Sequence, residues 1–237
     1  MSKEISVALS SRLSEVYSGQ DPYFLSQAHL VLDADRGVLK SGGTAASHLD
    51  AIPTWENQAT GTSYLYLPGI SGNRATIPDA ADLDGWGNFT FEVTAAADDW
   101  TPSAQRAFLS KYNSGADDRS YSFLLLTTGV LRLIWSKNGE GGEVKDSTAN
   151  LSAYSNGTLL TVRVVRTGTS LVFSVDSGSG FAQLGDPVST IADTVYAGPE
   201  DVVVGASDRT DSQWKGNISR ARIWSDATQT TKVLDID

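Results

Sequence analysis

The chain has 237 residues, 40% of them hydrophobic, enough for one large domain with a core of its own. It has no Cys, which excludes disulfides and thiolate zinc sites and argues against secretion from an animal cell. A net charge of −10 repels phosphate backbones, so nucleic acid is not an expected partner, and no stretch is long and apolar enough for membrane insertion.

Ile5, Leu9, Leu13 and Val16 recur at helical spacing, with Ser10, Ser11, Arg12, Ser14 and Glu15 between them. This predicts a short amphipathic α-helix over residues 2–18, closed by Gly19 and Asp21-Pro22. Its stripe either packs on the edge of the following domain or docks on a partner or on its own copies; the second is the expectation adopted. Residues 1–12 include Lys3, Glu4 and Arg12 and hold no long apolar run, so no Sec-type signal peptide is expected there.

From His29 the pattern changes to short strands. His29–Asp33 is the first. Residues 37–55 read as loop, with Ser41-Gly42-Gly43 and Ile52-Pro53. Tyr64-Leu65-Tyr66-Leu67 alternates and ends at Pro68-Gly69. Residues 74–93 hold two strands and their connection, with Pro78-Asp79 ending the first and Gly85 and Gly87 flanking Trp86. Phe89, Phe91 and Val93 share one face, expected in the core; Thr90 and Glu92 share the other, expected in water. Residues 107–111 read as a strand. Residues 121–126 and 130–135 read as a hairpin about Thr127-Thr128-Gly129, and residues 137–142 as a Gly-rich excursion. A second hairpin joins residues 159–166 and 170–176. Residues 202–206 form a continuous apolar run fit for a central strand, residues 208–213 a charged loop. Ile218, Arg220, Arg222 and Trp224 alternate along a late strand, and residues 232–237 form the last. About a dozen strands without alternating helices predict an all-β, two-sheet antiparallel sandwich.

Four ordered segments carry a family resemblance: Arg74-Ala-Thr-Ile-Pro-Asp79, Phe89-Thr-Phe-Glu-Val93, Leu109-Ser-Lys-Tyr112 and Gly216-Asn-Ile-Ser-Arg-Ala-Arg-Ile-Trp224. Together they resemble the concanavalin A-like, laminin G-like jelly roll, over about Ala28 to Asp237. The resemblance implies two stacked antiparallel sheets and a ligand site, where one exists, on the concave sheet or its rim loops. The expected organisation is a helix and linker over residues 1–27 and a jelly-roll sandwich over residues 28–237.

Catalytic patterns are absent. Hydrolases of this fold usually carry Glu-x-Asp-x-x-Glu or a near variant, and no Glu here sits in such a pattern. His29 and His48 accompany no Gly-x-Ser-x-Gly elbow. Some laminin G-like members bind calcium through an Asp in the hairpin that here reads Thr127-Thr128-Gly129, so that ligand is not carried over. Asp117-Asp118 and Asp208 with Asp211 offer hard oxygens, but such pairs more often solvate loops. No metal and no cofactor are expected. The triplets at Asn88, Asn150, Asn156 and Asn217 match the glycosylation pattern and are expected to be bare.

A sugar site needs a flat aromatic face beside planar polar groups. Of the six Trp, Trp135 and Trp224 are expected in the core, whereas Trp86, Trp100 and Trp214 lie in or near loops. The expected ligand-binding rim is Trp214 with Asp208, Arg209 and Asp211, followed by Trp100 with Asp98 and Asp99. The sequence reading is therefore a non-catalytic, lectin-like binding or adhesion module whose partner is a cell-surface glycan. Cysteine-free and with no leader expected, it fits a phage virion protein of tail or capsid, assembled in the host cytoplasm. There the stripe Ile5, Leu9, Leu13 and Val16 would meet a virion protein or its own copies. The alternatives are a glycan-active enzyme on the same fold and a decoration protein without ligand.

Overall fold

A computed structural model describes residues 64–191, 193–207 and 212–237. The expected helix, the strand at His29–Asp33 and the boundary near Ala28 lie outside the described residues. The described residues form strands only: β1 (Leu65–Pro68), β2 (Ala75–Ile77), β3 (Phe89–Ala97), β4 (Arg106–Asn113), β5 (Asp118–Leu125), β6 (Val130–Gly139), β7 (Glu143–Asn150), β8 (Leu159–Thr167), β9 (Ser170–Asp176), β10 (Ala182–Gln183), β11 (Val188–Ser189), β12 (Val202–Val204), β13 (Lys215–Trp224) and β14 (Lys232–Ile236).

Two antiparallel sheets result. An eight-stranded sheet runs β1-β13-β3-β8-β9-β10, with β14 also on β13 and β11 also on β9; a six-stranded sheet runs β2-β12-β4-β5-β6-β7. The continuous apolar run at Val202–Val204 is interior to its sheet, between β2 and β4, as its composition requires. The core lies between the sheets. Phe89, Phe91, Val93, Ala95 and Ala97 of β3 enter it beside Leu160, Val162 and Val164 of β8. From the other sheet come Phe108, Leu109, Tyr121, Phe123 and Trp135. Phe91 lies 4.9 Å from both Phe89 and Tyr121, ring centre to ring centre, and so joins the sheets.

Three sequence expectations need correction. Residues 143–150 form a strand, β7, where none was expected. It is the edge of its sheet, held by pairing to β6 and by Arg132 Nε to Asp146 Oδ1 at 2.7 Å, and an edge strand needs no apolar alternation. In β13 the register shifts between Ile218 and Arg220. The extra residue puts Ile218 in the core and Arg220 and Arg222 on the outer face, so the alternation does not mark one face. Trp224 is buried outside the core, near the Lys232 ammonium.

Two devices fix how the chain closes. Gly205 has φ 85° and takes a bond from Trp214 N while giving one to Phe108 O; a Cβ there would lie 2.0 Å from Leu67 Cδ1. Lys111 is wholly buried. Its ammonium reaches Asp79 Oδ1 at 2.6 Å, Asp84 Oδ2 at 3.1 Å and the carbonyls of Gly198 and Glu200. Lys111 and Asp79, two residues of the sequence resemblance, thus meet and tie β4 to the segments after β2 and before β12. Burial raises the Asp84 carboxyl above the ordinary range, against the pull of Lys111.

Candidate functional site

The residues of β3, β8 and β13 that point away from the core line the outer face of the eight-stranded sheet. Register sets them in rows. Tyr66, Asn217, Ala96 and Leu159 form one row, from β1 across β13 and β3 to β8. Arg220, Thr94 and Thr161 form the next, where the two threonine hydroxyls lie 2.9 Å apart. Arg222, Glu92 and Arg163 form the third.

Glu92 is at the centre of this face, and it is only 2% exposed. Its Oε2 accepts bonds from Nε and Nη2 of Arg163, and its Oε1 accepts from Arg220 Nη2 at 3.1 Å. The expectation that Thr90 and Glu92 face open water is corrected: they point out of the core, but the long arginine stems beside Glu92 cover it. Arg222, directly opposite Glu92 in register, turns instead to Asp235 Oδ1 at 2.6 Å and Asp237 Oδ2 at 2.9 Å. Those bonds outweigh burial and hold its guanidinium above the usual range, while Lys232 and Arg222 lower the Asp235 carboxyl.

Aromatic rings flank the charged centre. Leu67 points inward, so alternation turns Tyr66 outward; it is 57% exposed, and Tyr64, just before the strand, is 63% exposed. On the other side Arg163 stacks on Phe181, its Cζ 3.5 Å from the ring centre, and Phe181 is itself exposed. Asn217 Oδ1 and Arg220 Nε, between these rings, are buried without a hydrogen-bond partner.

The rim expected from sequence is built differently. Asp98, Asp99 and Trp214 do converge, in a 300 Å3 cleft with Arg106, Asn156 and Lys215 at the end of the sandwich where β3 stops. Trp100 packs edge-on to Trp214 beneath it, ring centres 6.1 Å apart. Both rings are 1% exposed, because they close the core at that end, so neither has an open face for stacking. Asp98 faces Lys215 Nζ at 3.4 Å, and Asp99 caps Thr101. Asp208, Arg209 and Asp211 lie outside the described residues. Among the described residues, no cluster of three or more acidic or His side chains is arranged to hold a metal ion. The exposed tyrosines were missed in sequence, although two aromatics in one phase of an alternating segment are a readable signal.

This architecture is a two-sheet antiparallel sandwich of the jelly-roll kind. Among solved structures, the extracellular region of zebrafish Gpr126/Adgrg6 is similar at 15% identity with a TM-score of 0.51, over 73% of this chain and 24% of that one. Mouse laminin α1 domains LG4-5 are similar at 15% identity and TM-score 0.48, over 74% and 46%. The CBM40 of the Ruminococcus gnavus IT-sialidase, solved with α2,3-sialyllactose, is similar at 15% identity and TM-score 0.42, over 68% and 93%. This chain thus spans about a quarter of the zebrafish region and under half of the laminin pair. No protein-family model matches the sequence, and no curated protein sequence matches it.

Proposed function

We propose that the chain is a non-catalytic glycan-binding module whose ligand lies across the outer face of the eight-stranded sheet. The observation that carries this reading is the placement of Tyr64, Tyr66 and Phe181 around the Glu92, Arg163 and Arg220 cluster. Sugar rings offer apolar C–H faces to aromatics and hydroxyls that both donate and accept, and this face supplies counterparts to each. Support for a binding rather than a hydrolytic role comes from Glu92. Both its oxygens are taken by arginines, whereas a glycosidase needs a free carboxylate pair about 5 Å or more apart.

The biological setting proposed is a phage virion, supported by a cysteine-free, acidic sequence suited to assembly in a reducing compartment. Detection of the chain in purified virus particles checks that part alone. The binding reading is tested on an array of neutral and acidic oligosaccharides with wild-type protein and Tyr66→Ala. Retention of a glycan by the first and weaker retention by the folded second are expected. Failure of the wild type to retain any glycan, or release of sugar from a polysaccharide, overturns the reading.

A further inference from the structure

At the opposite end of the sandwich, where β3 begins and β8 ends, lies a 490 Å3 cleft lined by Trp135, Lys137, Glu140, Glu143, Ile191 and Asp193 among others. Arg166 of β8 is not in its lining but packs on two lining residues, Trp135 and Ile191. The strand's alternation puts Arg166 in phase with Leu160, Val162 and Val164, so a guanidinium occupies a position meant for an apolar side chain. It is 0% exposed, 5.1 Å from the Trp135 ring and 5.6 Å from the Phe89 ring. Its Nη2 donates to the carbonyl of Ile191. Its Nε and Nη1 have no hydrogen-bond acceptor, nor has Trp135 Nε1, and Asp193 Oδ2 has an ion-pair partner but no hydrogen-bond donor. Lys137 Nζ stands 3.7 Å from that oxygen. Burial lowers the Arg166 pKa, opposed by the through-space pull of Asp193 and Glu143.

Buried polar atoms nearly always have partners, so the four unmatched ones in and behind this cleft call for one. We propose that this cleft is a second binding site, taking a neutral saccharide or polyol by a pair of adjacent hydroxyls. A hydroxyl accepts from Arg166 or Trp135 and donates to Asp193, which matches both kinds of unmatched atom. Trp135 and Asp193 line the cleft, and Arg166 lies behind them against the Trp135 ring. An anionic group meets Glu140, Glu143 and Asp193 at the lining and is disfavoured there. The site stands independently of the sheet face, and two sites on one domain give a branched or repeating glycan two points of attachment.

The test is a chemical-shift titration of the whole chain with methyl glycosides of glucose, galactose and mannose, and with methyl glucuronide. The expected result is movement of the Trp135 indole N–H and of the amides of residues 137–143 with a neutral glycoside, and weaker binding of the glucuronide. Asp193→Asn, at a side chain partly open to solvent, should fold and weaken the neutral ligand about tenfold or more. Tyr66→Ala should leave these shifts in place even if binding on the sheet face is weakened. Absence of movement with every neutral glycoside means that internal water serves the unmatched atoms, and overturns the proposal. So does tighter binding of the glucuronide, or an affinity unchanged by Asp193→Asn.

Discussion

Lys111 Nζ and Asp84 Oδ2 lie 3.1 Å apart with both side chains removed from water. Lys111 also bonds Asp79 and two carbonyls, so it is Asp84 whose buried charge depends on the pair, and Lys111 is the member that fastens the site. Lys111→Met should cost about 3–5 kcal/mol, the cost of stranding a buried charge rather than the net value of the pair. Urea unfolding measures it. In an Asp84→Asn background the same substitution should cost less, and a double-mutant cycle gives the coupling.

The Asp84 carboxyl is raised above its ordinary value of 3.8, chiefly by burial. A raised acid binds its proton more tightly in the folded state than in the unfolded one. Its contribution to stability therefore falls as pH rises from 3.8 through its folded pKa, and returns as pH falls back. Wild type should gain on Asp84→Asn when pH is lowered from 7 towards 4, read as the difference in urea midpoints. The opposite trend would mean that Lys111 outweighs burial. Asp235, lowered by Lys232 and Arg222, runs the other way: its contribution is present above the ordinary carboxylate range and lost on acidification.

Phe91→Ala removes a fully buried ring that touches both sheets and should cost about 3–5 kcal/mol. Glu92→Ala would be harmless on an open wet face. On this face it leaves Arg163 and Arg220 without their acceptor, and should cost about 1.5–3 kcal/mol. Thermal unfolding of both variants in parallel checks the pair; a negligible cost for Glu92→Ala would show that the arginine bonds add nothing.

Tyr66 is largely exposed, so Tyr66→Ala should leave the unfolding midpoint nearly unchanged. An aromatic contact of about 0.5–1.5 kcal/mol predicts about a twofold to tenfold loss of glycan affinity. Calorimetric titration with the glycan retained on an array checks the two effects separately.

The stripe Ile5, Leu9, Leu13 and Val16 lies outside the described residues, and its proposed role is contact with a virion protein or with other copies. Burying each such side chain is worth about 1.5–3 kcal/mol. Deleting residues 1–20 should leave the sandwich folded and lower the assembly state. Light scattering on both forms decides it: identical monomers remove self-association, and a truncated chain that fails to fold removes the partner role.

The sequence by itself determined the sandwich. Strands with one face in the core must alternate, and Phe89 to Val93, the two hairpins and the late strand from Lys215 all do so. It also marked Asp79 and Lys111, though not that they meet. Only the tertiary structure decided which polar residues are truly wet. Alternation tells which side of a sheet a residue takes, not what its neighbours two strands away lay over it, and so Glu92 read as solvent-facing until Arg163 and Arg220 were in place. For the same reason Trp100 and Trp214, in segments that read as loops, closed the core instead of offering a stacking face. Arg166 is the converse case. Its phase along β8 put it in the core from the start, but only the packing of Phe89, Trp135 and Ile191 around it shows a buried charge with bonds still to make.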